Sequence, residues 1–80
     1  MKVEINKEHY VEKLKEVLLN SFDSIDAAKR MYINSVEQRV AEEMSSYVMS
    51  RYGEYYSDSR IELIKENKRL LIECLEEILY

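Results

Sequence analysis

Few side chains in this chain could do chemistry. His9 is the single histidine and Cys74 the single cysteine. A zinc or catalytic centre needs several nitrogen, sulfur or carboxylate ligands at set spacings. No second His or Cys stands at such a distance, and His9 reads as a solvated residue beside Glu8. A lone thiol forms no intrachain disulfide and suits a reducing compartment, where Cys74 is expected to be a small buried apolar residue. Glu42 and Glu43 are adjacent in sequence, so on a helix they diverge rather than share a site. No Ser/His/Asp or Cys/His set with recognisable local context is present. The expectation is a protein that is not an enzyme and uses no cofactor and no metal.

Two groups suited to binding remain. The first is tyrosine, which makes up seven of the 80 residues, whereas tryptophan is absent. Tyr47, Tyr52, Tyr55 and Tyr56 cluster around Gly53, the only glycine. Tyrosine presents a large contact area at little rotamer cost and carries a polar tip, a combination common at interaction hot spots. The simpler role for one or two of these rings is to plug a helix corner. The second group is acidic. Glu8, Glu12 and Glu16 form a like-charged ridge at steps of four, and Glu73, Glu76 and Glu77 crowd the last turns of the chain. Carboxylates at a helix C-terminus oppose the helix dipole. Keeping them there points to a basic partner surface, with ordinary solubility charge as the plainer alternative. Tyr52, Tyr55, Tyr56, Glu73, Glu76 and Glu77 are therefore the candidate partner-binding residues.

Three helical segments must position these groups. Asn6 is a good N-cap, and Tyr10, Val11, Leu14, Val17 and Leu18 then recur at helical steps. The break at 20–24 is plugged by Phe22. Asp23 or Ser24 caps a second segment, whose apolar positions Ile25, Ala28, Tyr32, Val36, Val40, Met44, Tyr47 and Val48 keep one phase. Gly53 stands where a left-handed C′ residue is wanted. Ser35 and Gln38 offer a capping box that would split the segment at Asn34, but the unbroken phase favours one helix. Ser59 through Glu62 form a second capping box. The expected class is all-α, a single domain over 1–80 with helices at about 7–21, 24–52 and 60–79 in an antiparallel bundle.

The last helix carries Ile61, Ile64, Lys68, Leu71, Leu75 and Ile78 at alternating steps of three and four, a heptad seam with one lysine in it. Lys68 either snorkels to water or pairs and fixes register. A middle helix of 28 residues would be roughly 42 Å long, longer than a domain about 30 Å across. Its ends would be near-bare hairpins. A second copy packed antiparallel would complete the bundle, so a homodimer through that seam is expected. A compact monomer broken at Asn34 is the rival.

Twelve basic and sixteen acidic residues give a net charge of −4, concentrated in the last third. Nucleic acid is a disfavoured partner, because only Lys65, Lys68 and Arg69 form a dense basic group. No membrane span or signal segment is expected, and a cytoplasmic location, in a cell or an infected host cell, follows. No family is recognisable over the whole chain. Tyr55-Tyr56-Ser57-Asp58-Ser59, followed by Ile61-Glu62-Leu63-Ile64-Lys65-Glu66, resembles a stretch of the nuclease-colicin immunity proteins. Those are small acidic four-helix inhibitors, and the resemblance implies that Tyr55 and Tyr56 bind. The proline after the tyrosines and the last-helix tryptophan of that family are missing here.

The functional expectation is a non-catalytic protein-binding module, of the kind that phages and mobile elements use to inhibit or regulate a host protein. The alternatives are a self-associating structural or regulatory subunit and, behind it, a DNA-binding helical dimer.

Overall fold

The first turn begins where the sequence places it. The Asn6 side chain accepts the His9 N–H at 3.0 Å and caps α1 (Lys7–Phe22). The computed structural model describes residues 3–80, and the other elements are α2 (Ile25–Lys29), α3 (Ile33–Tyr52) and α4 (Arg60–Leu79), with a 3₁₀ turn at Ser57–Ser59 before α4. The class is all-α, as expected. Among the described residues no helix is long and apolar enough to cross a membrane.

The middle segment departs from expectation. It is not one helix over 24–52. It breaks after Lys29 and restarts at Ile33, with Tyr32 extended at φ −66° and ψ 141°. The break lies just before Asn34, and neither Ser35 nor Gln38 caps it. The apolar phase is interrupted at one residue. Tyr32 falls on the apolar stripe but is 86% exposed, while Ala28 and Val36 on either side of it are fully buried. A straight helix would carry Ile25 and Ala28 past the end of the bundle. Folding back buries Ala28 and sets Ile25 into a cleft with Val11 and Ile78. The freed backbone groups stay bonded, with Arg30 and Met31 N–H donating to the Ala27 and Ala28 carbonyls.

Two short connections hold this corner. Asp23 ends α1 in the left-handed region at φ 67°, and Ser24 then caps α2 by accepting the Ala27 N–H at 3.0 Å. Phe22 is half-buried under the Arg39 guanidinium, 5.2 Å from its ring centre.

Gly53 does not adopt the left-handed cap expected of it. Its φ of −59° and ψ of −39° continue the right-handed path. The glycine is needed for closeness instead: a Cβ there would run into the Met49 carbonyl oxygen, which accepts the Gly53 N–H. Ser59 likewise precedes α4 without a side-chain cap bond, and the 3₁₀ turn winds into the helix in its place.

α3 packs against both α1 and α4. His9 meets Arg51 at one end of α1 and α3, and Phe22 meets Arg39 at the other, so these two run antiparallel. Lys7 reaches Glu73 and Glu77, and Val11 meets Ile78, so α1 runs in the same sense as α4. α2 closes the end where α1 and α4 finish. The bundle measures 39 × 20 × 18 Å. α3 is roughly 30 Å long and is flanked along its length. The bare hairpin ends that the long-helix reading required are not there.

The core is Tyr10, Leu14, Val17 and Leu18 from α1, Val36, Val40, Met44 and Val48 from α3, and Leu63, Leu70, Leu71, Cys74, Leu75 and Leu79 from α4. Each fully buried large side chain contributes about 1.5–3 kcal/mol. One polar pair sits among them. The Tyr10 hydroxyl donates to Asn67 Oδ1 at 2.7 Å, and burial pushes that phenol above its ordinary range.

Candidate functional site

The tyrosine turn is built from the end of α3 and the residues before α4, and it divides into two parts. Tyr56 is 7% exposed, and its hydroxyl accepts the Glu4 N–H at 3.1 Å. Tyr52 is half-buried, and its hydroxyl accepts the Asn6 N–H at 3.1 Å. These two rings strap residues 3–6 onto the bundle, where Val3 is buried. Tyr55 is the one left open: it is 77% exposed and stacks edge-on against Tyr56 at 4.9 Å. Tyr47 lies farther along α3, edge-on to Tyr10 at 6.4 Å, and burial raises its phenol above the usual range.

The acidic group also divides. Glu77 accepts from Lys7 Nζ at 3.1 Å, and this bond raises the lysine above its ordinary range. Glu73 lies 3.9 Å from Lys7 and 3.3 Å from Arg69. Arg69 in turn pairs closely with Glu66. Only Glu76 of the three makes no ion pair among the described residues. Exposed pairs of this kind are screened by water and add little to stability. Their consequence here is that this side of α4 is nearly neutral. The tyrosine turn precedes α4 and the acidic group lies in its last two turns, and residues 3–7 run between them, bonded to Tyr52 and Tyr56 at one end and to Glu73 and Glu77 at the other.

The expected seam is split as well. Leu71 and Leu75 are 2% and 0% exposed, inside the chain's own core, and Ile78 is half-buried against it. Ile61 and Ile64 are 66% and 53% exposed, and Lys68 is exposed beside them. Ile72, which the seam omitted, continues the outer line: it is partly exposed and does not belong to the apolar residues packed on the core. Ile61, Ile64, Lys68 and Ile72 recur at steps of three and four, so they form one outward stripe on α4. Ile61, Ile64 and Lys68 were legible in the sequence as apolar-phase positions. Their exposure was not, because which side of a wide apolar face meets the bundle depends on where α2 and α1 pack.

The sequence signalled no chemistry for the groove between α1 and α3. It is lined by His9, Glu12 and Lys13 from α1 and by Glu43, Tyr47 and Arg51 from α3. Arg51 donates to His9 Nδ1 at 3.1 Å and lies over the Tyr47 ring at 6.0 Å. Its charges are mixed, and Lys13 is already 3.7 Å from Glu16. Cys74 is fully buried, and burial raises its thiol above the ordinary range, which disfavours the reactive thiolate. The dense basic group is also broken up, since Arg69 is tied to Glu66 and Glu73 while Lys65 and Lys68 stand apart on the outer stripe. No family model, no curated protein and no solved structure matches the chain.

Proposed function

We propose that this protein is a non-catalytic helical module that acts by docking another polypeptide on the outer face of α4, as an inhibitor or regulator would. The observation that supports this is the exposed stripe itself. Ile61 and Ile64 stand more than half open on a helix whose opposite face already fills the core, and Tyr55 is open at the same pole. The fold does not need them: no buried side-chain nitrogen or oxygen among the described residues is left without a partner, and the core closes on Leu63, Leu70 and Leu71 instead. An aliphatic line of one residue per turn is the footprint that a helix-in-groove partner reads. Tyr55 adds a rigid aromatic anchor at its end.

The test uses the full chain with Ile61→Asp and Ile64→Asp together, against wild type. Each is attached to resin and presented with native lysate. Helicity by circular dichroism should be unchanged, and polypeptides retained by wild type should be lost by the variant. Retention of the same polypeptides by both would remove this face from the proposal.

A further inference from the structure

Some charges of α4 are paired and others are not. Glu66, Arg69, Glu73 and Glu77 pair with one another or with Lys7 along one flank. Arg60, Glu62, Lys65, Lys68 and Glu76 make no ion pair among the described residues. Of these, Lys65, Lys68 and Glu76 fall at three- and four-residue steps with Ile61 and Ile72, so these three border the apolar stripe. Along that stripe the sign changes: it is basic in the first half of the helix, at Lys65 and Lys68, and acidic near the end, at Glu76. A surface that runs from positive to negative matches itself when reversed. The helix dipole has the same sense, positive at Arg60 and negative at Leu79.

We infer that the outer face of α4 takes a second copy of this chain, helix against helix and antiparallel. This rests on the reading of that face as a docking surface, and it names the occupant. With the two-fold axis crossing α4 at the level of Leu70, Lys65 of each copy stands opposite Glu76 of the other. The stem of Lys68 then lies over Ile72, and Ile61 meets the far end of α4, where Tyr80 is 76% exposed. The interface is isologous, so each contact occurs twice. Ile61 against Tyr80 and the Lys68 stem over Ile72 supply the apolar contact, and the charges set direction and register. A parallel pairing would place Lys65 by Lys65 and Glu76 by Glu76, and is disfavoured for that reason. This interface is narrower than the sequence seam, since Leu71 and Leu75 have no part in it.

The test is a charge exchange read by sedimentation velocity on the full chain over a concentration series. Wild type should pass from monomer to dimer as concentration rises. Lys65→Glu alone and Glu76→Lys alone should each weaken the dimer by about tenfold, because two symmetry-related pairs turn repulsive at once. An equal mixture of the two variants should recover it, since every cross-copy pair in the mixed dimer is again of opposite sign. Circular dichroism should be the same for all three. A wild type that stays monomeric up to its solubility limit overturns the inference, and so does a dimer indifferent to both exchanges. A monomeric wild type whose lysate capture still depends on Ile61 and Ile64 overturns self-association and leaves the docking face standing. If that capture is also indifferent to Ile61 and Ile64, both readings fall.

Discussion

The two sides of α4 are built from similar residues and meet different fates. On the inner side Leu63, Leu70, Leu71, Cys74 and Leu75 are each 3% exposed or less, on a helix that packs against α2 and α3 and is bonded to α1 through Tyr10 and Asn67. On the outer side Ile61 and Ile64 are more than half open, and Ile72 is partly so. Both sides obey helical periodicity. Hydropathy alone cannot rank them, because burial is decided by the direction from which the other helices arrive. The inner side forms the core of the chain, and the outer side is left open to solvent.

Leu75 separates the two sides most strongly, because the heptad pattern assigns it to an interface between copies and the fold places it in the core of one chain. Leu75→Ala should cost about 2–5 kcal/mol, from lost transfer energy and the cavity left behind. The loss should be the same at low and high protein concentration, measured by denaturant melts. A loss that appears only at high concentration would move Leu75 to a subunit interface.

The fold was legible wherever a local signal was enough. Asn6 and Ser24 are caps by residue type, and both side chains accept the expected backbone N–H groups. The core positions of α1 and α3 follow from period alone: Leu14, Leu18, Val36, Val40, Met44 and Val48 are all fully buried. What was not legible depended on tertiary context. The break before Ile33 is set by the gain from folding Ile25 and Ala28 back over the bundle, and nothing local at Arg30-Met31-Tyr32 announces it. Proline and glycine are absent there, and the phase runs on. The candidate site was legible only in part. Tyr52, Tyr55 and Tyr56 read as one cluster, yet two of them hold the chain's own residues 3–6 by their hydroxyls. Glu73 and Glu77 read as bare acid, yet Lys7 returns from seventy residues away to meet them. Long-range partners leave no mark on the spacing of the residues they join.

A middle-sized test concerns the one polar contact on the inner side. Tyr10 is fully buried and donates to Asn67 Oδ1, which joins α1 to α4 across the core. Tyr10→Phe keeps the ring and leaves the Asn67 oxygen without its donor, at a cost of roughly 1–3 kcal/mol. The pH dependence has a definite sign. Burial raises the Tyr10 phenol above its value in the unfolded chain, so the folded state favours the protonated form. Its contribution is fully present below the ordinary tyrosine range near about 10 and is lost as pH rises through the folded value. Denaturant melts across alkaline pH should show wild type losing stability faster than Tyr10→Phe. Parallel curves would mean that the phenol is not held neutral by the core.

The smallest expected effect on stability belongs to the outer side, where its smallness is informative. Ile61→Asp and Ile64→Asp replace exposed side chains that close no cavity and leave no buried group unpaired. Exposed substitutions of this kind usually fall within about 0.5 kcal/mol of zero. The helix itself shifts the balance slightly, because an acidic residue in the first turn of α4 favours the positive end of its dipole, and Ile61 lies there. Read at a dilution where the chain is monomeric, the two changes together should leave the melting temperature within about 4–8 °C of wild type. Read at a concentration where copies associate, the same pair of changes should remove the stabilisation that association adds. A large loss at dilution would mean that these isoleucines support the fold of the single chain, and the distinction between the two sides of α4 would fail at its outer edge.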